Sequence, residues 1–375
     1  TGEIDYDSLQ AGGDEYTHPM VRLVNALLVD AVKRGASDIH FEPEYGFVRV
    51  RYRIDGVLET ARRLHKNYLN GRPVDFRVST QPTIYGENIV LRVLDREKSI
   101  ISLERMQLPN GLLNKLALML ARPEGILIVT GPTGSGKTTT LYSLLARVND
   151  ETVNIMTLED PVEYPLPLLR QTSVNEVARM DFADGIRSIM RQDPDIILVG
   201  EVRDRETAEM AFRAAMTGHQ VFTTLHTNSA LGAFPRLLDI GIQPDIMAGN
   251  IMGVIAQRLV RVLCPACRAP SVPTEEERAL LEPHVGSVER VFRPVGCATC
   301  DHKGYKGRAP IMELLVMDAD MDELVARRAT LKELRACAVE KGYRSLAEEG
   351  LQRVAEGLTS LQELGRTVDL TGRYR

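Results

Sequence analysis

The sequence has no long apolar run. No stretch of eighteen apolar residues occurs among its 375 residues, whereas a helix that crosses a membrane needs roughly 20. The first thirty residues carry acidic groups instead of a basic stretch followed by an apolar core, which argues against an exported precursor. We therefore expect no direct membrane insertion, and any membrane association to be peripheral, through partner proteins.

The sequence also lacks an excess of basic residues. It has 46 Lys and Arg against 51 Asp and Glu, a net charge of -5, whereas proteins that bind nucleic acid usually carry a basic surplus. We therefore expect no nucleic-acid partner. Cysteine is scarce, with five residues, and four of them form two C-x-x-C pairs. This usage suits a reducing cytoplasm.

The first hundred residues predict a small α+β domain, since the length of the chain is enough for two or three domains. Residues 19–34 repeat apolar positions every three or four residues, which predicts an amphipathic helix that ends at Gly35. Alternating segments with turns at Asp55-Gly56 and at Pro82 then predict strands.

Three arginines alternate with apolar residues in one of these strands. Arg49, Arg51 and Arg53 lie in FVRVRYRID, and this spacing places them on one face of the sheet. They form either a solvated face or a functional cationic surface, and the sequence pattern does not favour one over the other.

From residue 101 onward, apolar strands alternate with helical segments. The strands are GILIVT, VNIMTLE, DIILVGE and QVFTTLHT. This alternation predicts an α/β fold with a mostly parallel sheet, helices on both faces, and a ligand at the carboxyl ends of the strands.

A phosphate-binding loop follows the first of these strands. GPTGSGKT matches G-x-x-x-x-G-K-[ST] between a buried strand and a helix start. Backbone N–H groups and the helix N-terminus there favour an anion. Lys137 would contact the β and γ phosphates, and the Thr138 hydroxyl would bind Mg²⁺. A glycine-rich turn that binds nothing fits the full match poorly. The predicted loop residues are Gly131, Pro132, Thr133, Gly134, Ser135, Gly136, Lys137, Thr138 and Thr139.

Acidic residues follow two later strands. Glu159, Asp160 and Glu163 are crowded into five residues, where carboxylates repel one another unless a cation or a positioned water is present. An isolated EDP segment is more often a loop or helix cap, but the nearby phosphate loop favours a catalytic role. Glu201 ends the next buried strand, where phosphate-loop enzymes usually place an aspartate that organises the magnesium shell.

Two histidines flank the strand QVFTTL. A single histidine is more often structural than catalytic, but His219 and His226 stand seven residues apart on either side of one strand. This arrangement favours a sensor of the γ phosphate.

The four paired cysteines predict a structural zinc site. Cys264, Cys267, Cys297 and Cys300 form two knuckles that would enclose a tetrahedral Zn²⁺ with no open position. Their 29-residue separation exceeds the usual finger spacing of about 15 to 20 residues; a redox role or four idle thiols are the alternatives. The segment between the knuckles contains prolines and three consecutive glutamates, so we expect it to be poorly packed.

Taken together, these motifs resemble the type II secretion and type IV pilus assembly ATPases. The resemblance covers nearly the whole chain, from GASDIHFEP and RYRIDGVL through the phosphate loop, LEDPVEY, RQDPDIILVGEVRDRETAEMA and TGHQVFTTLHTNSALGAFPRLLD to the tetracysteine and GYKGRAPIMELL. It implies a cytoplasmic homo-hexamer that hydrolyses ATP with Mg²⁺ and works with the inner-membrane adaptor and platform proteins of a secretion or pilus machine.

The resemblance also implies residue roles and domains. Glu163 would activate water, Glu201 would support the metal, and His219 and His226 are the two histidine-box positions. Phosphate-directed arginines would be Arg49, Arg51, Arg53, Arg77, Arg187 and Arg191. The implied domains are a PAS-like α+β domain at 1–100, a RecA-like P-loop ATPase core at 101–262, a zinc-binding subdomain at 263–312 and a helical region at 313–375.

The resemblance is incomplete in two places, and it leaves rival functions. The family has a further helical segment after RRLHK and a further N-terminal adaptor-docking domain, which are not found here. Pseudopilus assembly in type II secretion is the expected function, with pilus extension as the alternative. A retraction ATPase would lack the tetracysteine, and a DNA-translocating conjugation ATPase fits the acidic balance less well.

Overall fold

The computed structural model describes residues 19–44, 47–64, 75–94, 101–174 and 181–371. Contacts between residues divide the chain into two compact units, 1–99 and 100–375. Within the described ranges, every helix is too short or too polar to cross a membrane. The predicted departure from the family after Lys66 lies outside the described residues.

In its described residues, the first unit is an antiparallel sheet with one helix. Its strands run in the order β3-β2-β1-β5-β4. Apolar side chains of the helix, including Leu23 and Leu27, pack on Ile39, Val50 and Tyr52 of the sheet. The elements are α1 (Pro19–Lys33), β1 (Ala36–Glu44), β2 (Phe47–Ile54), β3 (Val57–Leu64), β4 (Asp75–Thr83) and β5 (Gly86–Leu94). The predicted α+β architecture is confirmed.

The second unit is built on a seven-stranded sheet. Its order is β14-β11-β6-β10-β9-β7-β8, and all neighbouring pairs are parallel except β11 with β14. The strands are β6 (Gly125–Thr130), β7 (Ile155–Glu159), β8 (Arg170–Ser173), β9 (Ile196–Val199), β10 (Gln220–Leu225), β11 (Ile251–Leu263) and β14 (Tyr305–Val316). A separate two-stranded antiparallel sheet consists of β12 (Ala269–Ser271) and β13 (Val291–Arg293).

Helices cover both faces of this sheet. Along β6, Ile126 and Ile128 pack into one apolar cluster, while Leu127 and Val129 pack into another. Alternate residues of a strand point to opposite faces, so each face has its own core. The helices are α2 (Asn110–Leu120), α3 (Lys137–Val148), α4 (Phe182–Ile189), α5 (Arg205–Met216), α6 (Ala233–Ile240), α7 (Pro244–Met247), α8 (Glu275–Val285), α9 (Ala319–Ala326), α10 (Leu331–Glu340), α11 (Leu346–Ala355) and α12 (Leu361–Thr367).

The predicted mostly parallel α/β fold is confirmed, and the sheet is wider than the sequence indicated. The four predicted strands are β6, β7, β9 and β10, but β8, β11 and β14 were not predicted. β14 runs across the proposed domain boundary at residue 312 and pairs with β11. The residues after the cysteines therefore complete the central sheet.

The prediction that the segment between the cysteine pairs is poorly packed is wrong. Its helix α8 begins with a capping box between Thr274 and Glu277, which satisfies backbone N–H groups at the helix start. Leu280 and Leu281 are fully buried in the same apolar cluster as the central sheet. These two leucines pack the segment against the core of the second unit, which the prolines and glutamates of the segment did not indicate.

Two glycine substitutions test this packing in opposite directions. A Cβ at Gly253 of β11 would lie 2.7 Å from the Leu315 carbonyl oxygen of β14, a backbone atom that cannot turn away. We expect Gly253→Ala to lower the free energy of unfolding by about 2 kcal/mol through overpacking. At Gly111 in α2 a Cβ meets no atom within 4 Å, so Gly111→Ala should cost nothing. Equal stability of the two variants in denaturant titrations would contradict the β11–β14 pairing.

Candidate functional site

A cleft of about 160 Å³ opens at the carboxyl ends of the parallel strands. It lies where β6, β7, β9 and β10 end, which is the edge at which α/β sheets bind ligands. The phosphate loop, the acidic segment after β7 and the residues after β9 and β10 meet there. Its lining residues are Lys137, Thr138, Leu141, Tyr142, Glu159, Asp160, Pro161, Glu163, Phe182, Leu198, Gly200, Glu201, Thr224 and His226.

The first glycine of the phosphate loop, Gly131, leaves no room for a side chain. Gly131 has φ of 148°, and a Cβ there would lie 2.6 Å from both the Gln257 carbonyl oxygen and the Ser135 hydroxyl. The Lys137 ammonium folds back over the loop and donates to the Gly131 carbonyl at 2.8 Å. The loop therefore forms a compact cradle that ends at the first turn of α3.

Gln257 of β11 holds the phosphate loop and the first turn of α3 through two side-chain hydrogen bonds. Its side-chain amide donates to the Ser135 carbonyl at 2.6 Å, and its side-chain oxygen accepts from the Thr140 hydroxyl at 2.8 Å. Gln257 is fully buried, so these bonds satisfy polar groups that water does not reach. The sequence analysis missed this residue, although one glutamine inside the apolar run IMGVIAQRLV was a usable signal.

The loop is electropositive and faces an acidic wall. Burial lowers the pKa of Lys137, and the nearby Glu201 carboxylate opposes this shift. Glu201 forms an ion pair with Arg203 and lies 3.5 Å from Nε2 of His226. Arg203 also lies 3.7 Å from Asp160. One arginine thus bridges the acidic groups that follow β7 and β9, a contact the sequence analysis did not foresee.

Glu159 and Glu163 occupy different environments. The Glu159 carboxylate is buried and accepts hydrogen bonds from Tyr142, from Thr157 at 2.5 Å and from Gln171 at 3.2 Å. These contacts tie it to α3 and β8. Glu163 follows the cis peptide bond between Asp160 and Pro161 and lines the cleft. Both carboxylates line the cleft, and Glu163 is the more exposed of the two.

The residues present fit a magnesium nucleotide. The glycine cradle admits a group that approaches the backbone closely, and a helix N-terminus favours a phosphate. The Ser135 hydroxyl is buried and makes no hydrogen bond within the described part of the chain. Thr138 and Glu201 offer the oxygen ligands that Mg²⁺ prefers. These are the residues that would hold the phosphates and the metal.

The two predicted histidines lie at opposite ends of the strand β10. His226 follows β10 and lines the cleft, whereas His219 precedes β10 and contacts the Ala214 carbonyl at 2.9 Å. The seven positions from His219 to His226 correspond to about 23 Å of extended strand. Within one chain His219 therefore does not serve the same site as His226, because β10 separates them.

Arg187 and Arg191 are not among the residues that line the cleft. Arg187, in the last turn of α4, is bound to Asp184 at 2.6 Å and to Glu206 at 2.5 Å. Arg191 is exposed in the turn after that helix. Any contact of these arginines with a nucleotide remains a prediction.

The strand arginines of the first unit form one polar face, as predicted. In the register of β1 with β2, Arg49 lies opposite Glu42, Arg51 opposite His40 and Arg53 opposite Asp38. Nε of Arg51 donates to Glu42 at 2.8 Å, and Arg53 lies 3.7 Å from Asp38. Acidic neighbours thus engage part of this face.

Arg77 belongs to the same sheet. It lies on β4 opposite Arg92 of β5 and is exposed. Its predicted role toward phosphates, like that of the β2 arginines, remains a prediction.

The four cysteines converge on one point. Their Sγ atoms all lie within 4.8 Å of one another, with separations of 4.0 Å between Cys264 and Cys297 and 3.7 Å between Cys267 and Cys300. A tetrahedron with Zn–S bonds of about 2.3 Å has edges of about 3.8 Å, so the cluster fits a zinc ion.

Backbone groups favour the thiolate form of Cys300. Burial would raise the pKa of Cys300, but N–H groups of Cys297 and Gly304 donate to its sulfur and lower that pKa to about 6. Burial raises the pKa of Cys267 to about 11, so of these two cysteines Cys300 is the one whose surroundings favour deprotonated sulfur.

Zinc loss should act locally. We expect one zinc per chain in the wild type, and less than half of that in Cys297→Ser, because the closed site needs all four ligands. Exchange of amide hydrogens should then rise between residues 264 and 304, while β14 and the phosphate loop stay protected by the central sheet. Cys337→Ser, which changes a cysteine outside the cluster, is the control.

Elemental analysis and exchange measured by mass spectrometry decide the matter. A wild-type chain without zinc, or a Cys297→Ser variant with full zinc content, would contradict the assignment.

Comparison with known proteins identifies the family. The sequence model described as "Type II/IV secretion system protein" matches residues 14–70 and 63–366. The type II secretion system protein E of Aeromonas hydrophila is 42% identical over 394 residues, which cover 96% of this chain and 77% of the relative. The type IV pilus assembly ATPase TfpB of Acinetobacter baylyi is 40% identical over 385 residues, with 94% and 66% covered.

A solved structure agrees with the fold. The pilus retraction motor PilT with bound ADP has a TM-score of 0.63 and 26% identity, with 92% of this chain and 96% of that chain covered. The resemblance found in the sequence motifs is thereby confirmed. The chain belongs to the type II/IV secretion system protein family, a family of ATPases.

Proposed function

We propose that this ATPase drives pseudopilus assembly in type II protein secretion, as a cytoplasmic homo-hexamer that binds the inner membrane through adaptor and platform proteins. The observation that carries the proposal is the convergence of Lys137, Glu163, Glu201 and His226 in one cleft. This cleft belongs to a chain that is 42% identical to a type II secretion system protein E.

The phosphate loop would bind ATP before any chemistry. N–H groups of residues 133–138 and the helix N-terminus would contact the β and γ phosphates, and Lys137 would add a positive charge. Bound Mg²⁺, held by Thr138 and supported by Glu201, would neutralise charge on those phosphates. Glu159 would stabilise the loop through Tyr142 of α3 rather than contact the nucleotide directly.

Glu163 would orient the attacking water. In the hydrolysis step, the water oxygen forms a bond to the γ phosphorus while the bond to the β–γ bridging oxygen breaks, which leaves ADP and inorganic phosphate. The carboxylate of Glu163 would accept a hydrogen bond, and then the proton, from this water. His226, which follows β10 at the same edge of the sheet, would donate a hydrogen bond to the γ phosphate and sense its loss.

Residues outside the cleft would act in the assembled ring. The predicted phosphate-directed arginines and His219 would reach a nucleotide only through a neighbouring chain or the first unit. These arginines are Arg49, Arg51, Arg53, Arg77, Arg187 and Arg191. An arginine supplied in this manner accelerates phosphoryl transfer about 10³- to 10⁵-fold in other phosphate-loop enzymes. The isolated chain should therefore be a slow ATPase.

Pilus extension is the second candidate function. It is favoured by the 40% identity to the pilus assembly ATPase TfpB over 94% of this chain. The nucleotide chemistry is the same in both cases. Complementation of secretion and of pilus extension, each in a host that lacks its own ATPase, would distinguish them.

The first test separates nucleotide binding from hydrolysis. Glu163→Gln should keep ATP affinity within about threefold and lower kcat by about 10² to 10³, because the amide cannot accept the proton of water. Lys137→Ala should weaken ATP binding itself, because it removes the positive charge that would contact the phosphates. Glu151→Gln, an exposed change after α3, is the control.

Calorimetric titration with ATP and a phosphate-release assay give the two quantities. A Glu163→Gln variant with normal turnover would remove Glu163 from the catalytic role.

The second test concerns the ring. Specific activity should rise at least tenfold as the concentration of the chain crosses its assembly threshold, or when a fused hexameric scaffold forces assembly. Arg187→Ala should reduce the activity of the assembled form more than that of the monomer. Sedimentation measured beside turnover decides it, and a specific activity that is independent of assembly would contradict the hexamer mechanism.

A further inference from the structure

The loop that carries His226 is attached to the phosphate loop. Residues 226–232 follow β10, and the Thr227 N–H donates to the Thr130 hydroxyl at 2.8 Å. Thr130 is the last residue of β6 and directly precedes Gly131. Arg258 of β11 holds the next residue, since it donates to the Asn228 carbonyl at 3.3 Å and to its side-chain oxygen at 3.2 Å. The start of this loop is thus fixed against the nucleotide cleft.

A buried carboxylate holds the other end of the same loop. Glu313 of β14 is 2% exposed. One carboxylate oxygen accepts from the Ala230 N–H, and the other accepts from the Leu346 N–H at 2.8 Å. Leu346 is the first residue of α11. One side chain therefore joins the His226 loop to a helix of the C-terminal region, which lies more than a hundred residues further along the chain.

The chemistry of this contact makes it strong and specific. Burial raises the pKa of Glu313, while the N–H groups of Ala230 and Leu346 lower it. An ionised carboxylate that accepts two N–H groups, one of them at a helix N-terminus, makes charge-assisted hydrogen bonds. No water is needed to satisfy these donors. An amide in the same place can accept from one N–H but presents its own N–H to the other.

A purely structural role is the alternative, and a second carboxylate shows what that role looks like. Glu363 of α12 is 3% exposed and joins the C-terminal helices to the far part of β11, with 2.9 Å to Nε of Arg261. It also accepts from the Arg261 N–H at 3.2 Å. Its partners do not include the loop at 226–232. The two glutamates are alike in burial and in bridging, and they differ in whether the bridge reaches the loop that carries His226.

We propose that Glu313 is a positioning residue, which couples the placement of His226 in the cleft to the placement of α11 in the C-terminal region. The proposal rests on the proposed role of His226 toward the γ phosphate. Movement of the C-terminal helices would thereby change the turnover of the cleft, and the nucleotide in the cleft would change the protection of the start of α11, since such coupling is reciprocal.

The test compares Glu313→Gln with Glu363→Gln in the full chain. Glu313→Gln should lower kcat at least tenfold with less than a twofold change in KM for ATP, because the phosphate loop stays intact while His226 loses its position. Glu363→Gln should lose a similar amount of thermal stability but keep kcat within twofold of the wild type. A role in stability alone would move both variants together.

Amide hydrogen exchange supplies a readout that does not depend on turnover. Without nucleotide, exchange in residues 226–232 should be about tenfold faster in Glu313→Gln than in the wild type, and unchanged in Glu363→Gln. Adding ATP and Mg²⁺ should slow exchange at residues 345–349 in the wild type but not in Glu313→Gln.

Three results would overturn the proposal. They are wild-type kcat in a folded Glu313→Gln variant, equal loss of kcat in Glu363→Gln, and unchanged exchange at residues 226–232. If the wild-type chain hydrolyses no ATP, the proposed function fails instead, and the exchange experiment without nucleotide still tests the bridge.

Discussion

The site depends on one buried hydrogen-bonding side chain beneath the phosphate loop. Gln257 bonds the Ser135 carbonyl and the Thr140 hydroxyl at once, so the loop and the first turn of α3 keep one relative position. The backbone of β11 also fills the space that a side chain at Gly131 would need. A loop held this way is organised before a phosphate arrives, and binding does not have to supply the energy of ordering it.

The direction of the strands decides which polar residues share the cleft. β6, β7, β9 and β10 are parallel and end at the same edge, so residues that follow these strands meet there. This places Glu163, Glu201 and His226 together and leaves His219 at the opposite edge. Several carboxylates then face Lys137 and Arg203. Such an arrangement favours a bound cation, because crowded carboxylates repel one another without one.

The sequence predicted what local patterns encode and missed what distant contacts create. The phosphate loop, four strands and the cysteine cluster follow from short motifs, whereas Gln257 acts on a residue 117 positions away. Glu313 likewise makes hydrogen bonds to the N–H groups of Ala230 and Leu346, which are distant from it in the sequence. The packing of α8 was predicted wrongly because the prolines and glutamates of this segment are visible in the local sequence. The residues that pack against Leu280 and Leu281 lie elsewhere in the fold. His219 precedes the parallel strand β10, so within one chain it lies away from the carboxyl end at which His226 lines the cleft, and its predicted role stays a prediction.

We infer that ATP binds with its phosphates inside the loop at residues 131–138 and with its γ phosphate directed toward Glu163. A structure of the chain with Mg²⁺ and a non-hydrolysable ATP analogue tests this most directly. We expect backbone N–H groups of the loop to contact the β phosphate, the Thr138 hydroxyl to bind the metal, and a water to lie between Glu163 and the γ phosphate. A nucleotide bound elsewhere, or a γ phosphate directed away from Glu163, would contradict it.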